Sequence, residues 1–395
     1  MKFYLAVAAL LSAVYLNGQY NRAPFRPKII VGMVVDQMRW DYLYKFQDRY
    51  TEGGFKRLIR EGFSCENTHI DYAPTITACG HTSVYTGSVP AIHGIIGNSW
   101  YDRMSGNTVG CVDDNKVQLV GSSVSRTGQS PHRNLATTIT DQLRIATNFQ
   151  SKTVGVAIKD RASILPAGHT ATAAFWLDSE EGNFVSSTFY MDRLPDWAVK
   201  FNRSKRIDAY YKKGWNTLFP VSSYVLSTVD DKAYENTANG EAKPVFPRKL
   251  SQFIGKNYGA VKNTPYGNTL TFEFAKAAIE GYNLGRGKVT DFLAVSFSSP
   301  DAIGHIYGPN SVEMEDNYLR LDRELSQFFE YLDKKFGKDN YLYFLTADHG
   351  VSESPGFFLE NRMPSGAVSG KELNQAITTA LQEQLGVPDP VLAIA

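Results

Sequence analysis

Four short runs of continuous apolar, largely β-branched residues recur along the chain. They are "KIIVGMVVD" (28–36), "TVGVAI" (153–158), "DFLAVSFS" (291–298) and "YLYFLT" (341–346). Runs of this length without polar alternation are typical of strands that are buried on both faces of a sheet. We therefore predict a central strand at each of these four places.

Apolar residues at helical spacing lie between the runs. One set recurs every four residues at Leu135, Ile139 and Leu143, and a second at Leu321, Leu325 and Phe329, widened by Phe328 and Leu332. Each set is the apolar face of an amphipathic helix. Buried strands that alternate with such helices predict the α/β class, with a mostly parallel central sheet and helices on both faces.

Residues 170–262 interrupt this alternation. They are rich in aromatic and turn residues, as in "WLDSEEGNF" and "DAYYKKGWNTLFP". We interpret this segment as a cap inserted over the sheet, between a first part of the core at 20–169 and a second part at 263–395. The cap is expected to set the preference for the leaving group, and its composition points to no single partner.

Composition narrows the classes of partner. The chain has 395 residues, 43% of them hydrophobic, and a formal net charge of +1. This charge provides no general attraction to nucleic acid or to acidic membranes. We therefore interpret the basic and aromatic piece "FNRSKRIDAYYKKGW" as a solvated face with anchoring aromatic residues. Three cysteines, Cys65, Cys79 and Cys111, are too few for a disulfide framework, and one bridge or three thiols both remain open.

The N-terminus predicts export. Lys2 precedes an apolar run at 3–16 that is shorter than the roughly 20 residues of a membrane-spanning helix, and Asn17 and Gly18 end it. We interpret residues 1–19 as a cleaved signal peptide and expect a periplasmic or secreted protein. The run ends without a cysteine, and no later segment is apolar enough to span a bilayer, so we expect no membrane anchor.

Three of the four apolar runs are followed by potential metal ligands. Asp36 ends the first, Asp301 and His305 follow the third, and Asp348 and His349 follow the fourth. Each has a structural explanation on its own, as a turn residue or a surface pair. Ligands collect at the carboxyl ends of strands in open α/β sheets, and carboxylate with imidazole is a donor set that zinc prefers. One site for two metal ions explains all five residues together.

A further candidate is the stretch "PTITACGHTSVYTG" (74–87), at the start of a predicted helix. Thr75 and Thr77 carry hydroxyls, and Cys79 carries a thiol. A helix start favours phosphate through its backbone N–H groups and dipole. Taken alone, the stretch fits either a nucleophile or a capped helix start, and Thr75 has the position of a helix-entry residue.

Five segments, in order from Lys28 onward, resemble one family. They are "VVDQMRWDYL", "APTITACGHTSVYTGSVPAIHGIIGNSWYD", "IKDRASILPAGH", "SPDAIGHIYGPNS" and "TADHG". They are similar to the alkaline phosphatase superfamily, and within it to the PafA-type phosphatases of the phosphodiesterase/nucleotide pyrophosphatase branch. The Cys-x-Pro-x-Arg setting of the sulfatases in this superfamily is absent around Cys79.

The resemblance implies two zinc ions. Asp36, Asp348 and His349 match the ligands of one zinc, which also holds the nucleophilic hydroxyl of Thr77. Asp301 and His305 match ligands of the other. A zinc ion can deliver the hydroxyl as an alkoxide, as it lowers the pKa of bound water to about 7.

The resemblance also implies the reaction. Thr77 attacks phosphorus in line, and water then hydrolyses the phosphothreonine. Asn98 matches a side chain that binds a phosphoryl oxygen, and Lys159 with Arg161 matches the charged pair that distinguishes monoesterases. The expected substrates are small phosphate monoesters. A phosphodiesterase or nucleotide pyrophosphatase on the same metals is the alternative, and an inactive metal- or anion-binding homologue is another.

The sequence departs from the family at one metal ligand. Family members carry a third ligand of the second zinc, a histidine, well beyond the Asp-His pair, whereas the last histidine here is His349. Residues 351–395 contain a predicted helix with a capping box of Ser369 and Glu372. We therefore expect a chain that is C-terminally truncated relative to the family, with a weakened second zinc site.

Overall fold

The computed structural model describes residues 26–238 and 241–386. The predicted signal peptide at 1–19 lies outside these residues. Within them, no helix has the length and apolarity needed to cross a membrane, and Cys65, Cys79 and Cys111 are all free thiols.

A central sheet of eight strands organises the molecule. Its strands are β1 (Ile29–Val35), β4 (Asp113–Val120), β5 (Thr127–Gln129), β6 (Thr153–Ala157), β7 (Ala173–Asp178), β8 (Asn183–Ser187), β9 (Asp291–Phe297) and β10 (Tyr341–Thr346), and β2 (Ser99–Asp102) with β3 (Asn107–Gly110) forms a separate hairpin. The order across the sheet is β10-β1-β9-β6-β7-β8-β4-β5. Neighbours from β10 to β7 are parallel, and β8, β4 and β5 continue the sheet in antiparallel pairs. Three of the four predicted central strands are confirmed as β1, β6 and β9. The fourth run does form a strand, β10, but the prediction that it is central is wrong, because β10 lies at the edge of the sheet and none of its residues is fully buried.

Helices cover both faces of the sheet. They are α1 (Tyr42–Lys45), α2 (Phe55–Glu61), α3 (Thr77–Thr86), α4 (Pro90–His93), α5 (Ile139–Ala146), α6 (Asp160–Ala167), α7 (Asp196–Arg203), α8 (Arg206–Lys213), α9 (Tyr266–Gly281), α10 (Ser299–Tyr307), α11 (Val312–Phe336), α12 (Pro355–Glu360) and α13 (Gly370–Leu385). Alternate residues of β1 point to opposite faces: Val31 and Met33 pack in the core cluster that contains α9 and α11, and Val34 packs with Tyr85 of α3. The predicted α/β class is confirmed.

One of the two predicted helical stripes is wrong at its start. Leu135 lies before α5 and is 77% exposed, and Ile139 also faces solvent. The helix begins only at Ile139, because Thr138 and Asp141 form a capping box there. The other stripe, Leu321 to Leu332, is buried along α11 as predicted.

The predicted cap contains part of the sheet. Strands β7 and β8 lie within residues 170–262, and every residue of β7 is buried. The run "AAFWLD" has the same continuous apolar pattern as the four predicted strands, which was the available signal. The remainder of the segment carries α7, α8 and short 3-10 turns, and the buried rings of Tyr211 and Trp215 anchor it to the core.

Candidate active site

The ends of neighbouring parallel strands bring three predicted ligands together. Asp36 follows β1, and Asp348 and His349 follow β10, which pairs with β1 in parallel. One ligand atom from each residue lies within 4.8 Å of the others. All three residues are buried, so this group is a compact donor set of two carboxylates and one imidazole, which fits a zinc ion.

The second predicted pair adjoins the first. Asp301 and His305 lie one turn apart on α10, with Nε2 of His305 3.1 Å from Oδ1 of Asp301. Nε2 of His349 is 4.0 Å from the same oxygen. The side chain of His305 is 69% exposed. Across residues 26–238 and 241–386, one group of three or more side chains could hold a metal ion, and it consists of Asp36, Asp348 and His349. No third ligand from these residues joins Asp301 and His305 in a group of their own.

Lys159 lies between the two groups. Its ammonium is 2.7 Å from Oδ2 of Asp36 and 2.5 Å from Oδ2 of Asp301. It also donates to Oγ1 of Thr77 over 3.2 Å. Burial disfavours the charged lysine, but the negative charges of Asp36 and Asp301 outweigh burial and raise its pKa. The ammonium thus joins both carboxylate groups to the hydroxyl of Thr77.

Thr77 is the first residue of α3 and is 3% exposed. Its hydroxyl lies 3.5 Å from Oδ1 of Asp36. The residue that precedes the helix is Ile76, and no side chain caps this end. The expectation that Thr75 serves the helix entry is therefore wrong, and Thr75 instead lines the cavity described below.

The other two predicted phosphate ligands flank Thr77. Oδ1 of Asn98 accepts a hydrogen bond of 3.0 Å from the backbone N–H of Ala78. That bond fixes the amide, whose nitrogen is the group left to donate to a ligand. Arg161 lies in the first turn of α6 and makes a loose 3.6 Å contact with Asp160, so its guanidinium is only weakly held by the protein.

One cavity of about 840 Å³ joins these side chains. Its wall includes eight residues that the sequence analysis singled out: Thr75, Thr77, Asn98, Lys159, Arg161, Asp301, His305 and His349. Asp36 and Asp348 lie behind this wall. The cavity therefore presents a hydroxyl, an amide and two cations beside the metal-ligand groups.

The charge pattern of the first group is that of a cation site. Burial would raise the pKa of Asp36, but Lys159 and His349 outweigh burial and hold it well below its usual range. Burial would lower the pKa of His349, but its hydrogen bond with Asp36 and the charges of Asp348 and Asp36 raise that pKa to about 9. A metal ion at this group would thus replace a proton on His349.

Two further residues position the carboxylates, and sequence reasoning missed the first of them, Gln37. Gln37 donates its backbone N–H to Asp348 over 3.1 Å and its side-chain amide to Asp301 over 2.9 Å. It does so from a left-handed conformation with φ of 65°, and its place directly after Asp36 was the one local signal. His81 lies 3.0 Å from Asp348 through Nδ1 and 2.7 Å from Ser296 through Nε2. Their roles depend on contacts between distant strands and helices, which no local pattern shows.

Cys79 is not placed as a competing nucleophile. Its thiol is buried and points to the backbone oxygen of Ile95 at 3.3 Å. Burial raises its pKa to about 11, so the thiolate is scarce at neutral pH.

Comparisons with known proteins identify the family of the chain. The sequence profile of the family described as "Type I phosphodiesterase / nucleotide pyrophosphatase" matches residues 30–375. The chain is 57% identical over 341 residues to alkaline phosphatase PhoV of Synechococcus elongatus, covering 86% of this chain and 62% of that protein. It is 54% identical over 373 residues to a protein of Myroides odoratus named calcium-transporting ATPase, covering 94% and 68%.

A solved structure shares the fold. The crystal structure of wild-type alkaline phosphatase PafA matches with a TM-score of 0.89 and 50% identity, covering 93% of this chain and 70% of that one. The fold is thus that of the alkaline phosphatase superfamily. Within it, the chain belongs to the type I phosphodiesterase/nucleotide pyrophosphatase family. It spans about two thirds of the length of these relatives.

Proposed function

We propose that this chain is the catalytic part of an exported, zinc-dependent alkaline phosphatase, which hydrolyses phosphate monoesters through a phosphothreonine at Thr77. The observation that supports this most is the placement of the Thr77 hydroxyl at a helix start, between the carboxylate of Asp36 and the ammonium of Lys159. The similarity to PhoV and PafA, both named alkaline phosphatases, supports the same activity.

Two groups of side chains would hold the metals. Asp36, Asp348 and His349 would bind one zinc ion, and Asp301 with His305 would contribute to a second. When bound, zinc lowers the pKa of a nearby hydroxyl and neutralises charge that develops on the phosphoryl group. Gln37 holds Asp348 and Asp301 in position for this by donating one hydrogen bond to each.

The chain's own side chains carry the reaction. The hydroxyl oxygen of Thr77 forms a bond to phosphorus while the bond from phosphorus to the leaving oxygen breaks. The hydroxyl proton passes to solvent, and the leaving oxygen departs with the bonding electron pair and takes up a proton from solvent. Water then attacks the phosphothreonine, which releases phosphate and restores Thr77. Because the amide of Asn98 is fixed by Ala78, it can meet a non-bridging oxygen with little reorganisation.

Lys159 and Arg161 give the preference for monoesters. A monoester dianion carries two negative charges where a diester carries one. Two cations in the wall of the cavity therefore stabilise the monoester more strongly. The alternative, a phosphodiesterase, is favoured by the apolar side chains of Ile76, Ile306 and Val351 in the same wall, which could contact a second ester group.

Paired substrates test the proposal. Hydrolysis of p-nitrophenyl phosphate and of bis-p-nitrophenyl phosphate is measured at alkaline pH with added zinc. We expect turnover of the monoester to exceed that of the diester and to vanish in Thr77→Ala. Thr75→Ala is the matched control, because it removes the neighbouring hydroxyl of the same cavity, and it should keep turnover.

A double variant tests the specificity argument. Replacing Lys159 and Arg161 by alanine should reduce kcat/KM for the monoester far more than for the diester. Equal losses for the two substrates would contradict the role of the charged pair. Faster turnover of the diester by the unchanged protein would favour the phosphodiesterase instead.

A further inference from the structure

A third cation lines the cavity beside Lys159 and Arg161. Lys262 lies in the 3-10 turn Tyr258–Asn263, the last residue of the predicted cap segment, and its side chain contributes to the wall of the cavity. The sequence pattern around it, "AVKNTP", gives no sign of this position. The turn is brought to the cavity because it packs against α10, the helix that carries Asp301.

The backbone around Lys262 is firmly held while its side chain is accessible. Ala260 and Val261 before it and Thr264 after it are buried. The side chain of Asn257 accepts a hydrogen bond from Ala260 over 3.2 Å, and the hydroxyl of Thr264 donates to Val261 over 2.8 Å. The ammonium is thus presented by a rigid turn, so its contact with a ligand costs little ordering of the backbone.

Lys262 has no carboxylate partner among the described residues. Lys159 is paired with Asp36 and Asp301 within 2.7 Å, whereas no described acidic side chain forms an ion pair with Lys262. Burial and the positive charges of Lys159 and Arg161 lower the pKa of Lys262. Three like charges around one cavity repel each other, and an anion that enters the cavity relieves this repulsion.

Lys262 belongs to the half of the cavity where the leaving group lies. Its turn packs against α10, and Lys262 lines the cavity together with Asp301 and His305 of that helix. Asp301 and His305 belong to the proposed second metal group, which in the proposed reaction would lie on the side of the leaving oxygen. In an in-line displacement the leaving oxygen departs on the side opposite the nucleophile. Lys262 therefore faces the group that leaves.

We infer that Lys262 binds a second negative charge on the leaving group, which makes phosphate monoesters with an anionic leaving group the preferred substrates. This inference rests on the proposed function and names its substrate class. The transferred phosphoryl group already has Asn98, Lys159 and Arg161. Lys262 adds a contact that only a substrate with a carboxylate or a further phosphate beyond the scissile bond can use.

Binding of stable analogues tests the inference without turnover. The dissociation constants of phenylphosphonate, 4-carboxyphenylphosphonate and benzene-1,4-bisphosphonate are measured by calorimetry with zinc present, for the unchanged protein and Lys262→Ala. We expect the variant to lose about tenfold in affinity for one or both doubly anionic ligands, as for one charge-assisted contact. For phenylphosphonate we expect the affinity to fall by about twofold, because the variant lowers the positive electrostatic potential in the cavity.

Matched variants separate the contact from general effects. Lys262→Arg should retain most of the discrimination, because it keeps the charge. Lys256→Ala removes an exposed lysine of the same cap segment that does not line the cavity, and it should bind all three ligands as the unchanged protein does.

The outcomes are distinct from those for the proposed function. Equal losses of affinity for all three ligands in Lys262→Ala would place Lys262 on the transferred phosphoryl group and overturn the inference. The inference would also be overturned if the variant lost no affinity for the doubly anionic ligands, or if the unchanged protein did not bind them. Selective binding without hydrolysis of any monoester would support the inference about Lys262 and contradict only the proposed reaction.

Discussion

At the scale of single residues, Lys159 has two roles that compete for the same ammonium group. Its ammonium neutralises the buried carboxylates of Asp36 and Asp301, and the proposed reaction also needs it near the phosphoryl group. Zinc ions on the same carboxylates would take over the first task. The structural role of Lys159 should therefore depend on metal.

We predict that Lys159→Ala lowers the free energy of unfolding by about 3 kcal/mol in the presence of a chelator, because it leaves two buried carboxylates without their cation. With saturating zinc the loss should be much smaller. Urea unfolding under the two conditions measures both values, with Lys256→Ala as the control. Equal losses with and without zinc would show that metal does not replace the ammonium.

His93 should make stability depend on pH. Its Nδ1 accepts from the N–H of Ile95 over 3.1 Å, and Nε2 lies 3.1 Å from the hydroxyl of Ser83. Burial lowers its pKa from 6.5 to about 4. Because the unfolded chain binds this proton at a higher pH than the folded one, the free energy of unfolding should fall as pH drops from about 6.5 to about 4.

The variant His93→Asn tests this origin of the pH dependence. The asparagine oxygen can accept from Ile95 as Nδ1 does, and it does not titrate. Denaturant unfolding between pH 4 and pH 7 should show a shallower slope for the variant. An unchanged slope would assign the pH dependence to other groups.

The residues of the site were only partly predictable. The predicted metal ligands follow the ends of strands, whereas the predictions for Thr77 and the phosphate contacts rest on the resemblance of their motifs to one family. Gln37, His81 and Lys262 act through partners that are distant in the sequence. Their place in the site is fixed by how β1, α3 and the cap turn pack, which the sequence pattern does not state.

At the scale of elements, the site depends on the close packing of α3 against the end of β10. A Cβ atom at Gly80 would lie 2.2 Å from the backbone oxygen of Asp348. The neighbour is backbone, so it cannot simply rotate away, and α3 can approach the metal ligands only because residue 80 is glycine.

We predict that Gly80→Ala displaces Asp348 and His349 and weakens zinc binding by about tenfold or more, as for loss of the contacts that orient metal ligands. Competition with a chromophoric chelator measures the affinity. Gly366→Ala is the matched control, because nothing lies within 4 Å of an added Cβ there. Unchanged affinity in Gly80→Ala would mean that the helix can move without disturbing the ligands.

The elements themselves were predicted best where one signal dominated. Continuous apolar runs identified the central strands, and the long stripe identified α11, because the core packs against nearly every residue of these strands and against one face of the helix. The stripe from Leu135 failed, since local capping at Thr138 decided where the helix begins. Strand β7 was assigned to the cap because turn-rich sequence follows it.

At the scale of the whole molecule, the two proposed metal groups differ in their number of donors. Among the described residues, the first has three buried donors and the second has two, one of them largely exposed. Affinity should follow the number and burial of the donors.

We predict that zinc titration of the chain shows one tight and one weak step. His305→Ala should remove the weak step and leave the tight one. Asp348→Asn should remove the tight step and leave the weak one. Calorimetric titration of the metal-free protein measures both. Two tight steps in the unchanged protein would contradict the difference that we infer between the two groups.

The most direct test of the proposed function is to trap the phosphothreonine. The zinc-loaded protein is mixed with p-nitrophenyl phosphate, quenched in acid during turnover and digested for mass spectrometry. We expect one phosphoryl group on the peptide that contains Thr77, and none on that peptide in Thr77→Ala. Turnover with the phosphoryl group on another residue, or with no phosphorylated peptide at any quench time, would contradict Thr77 as the nucleophile.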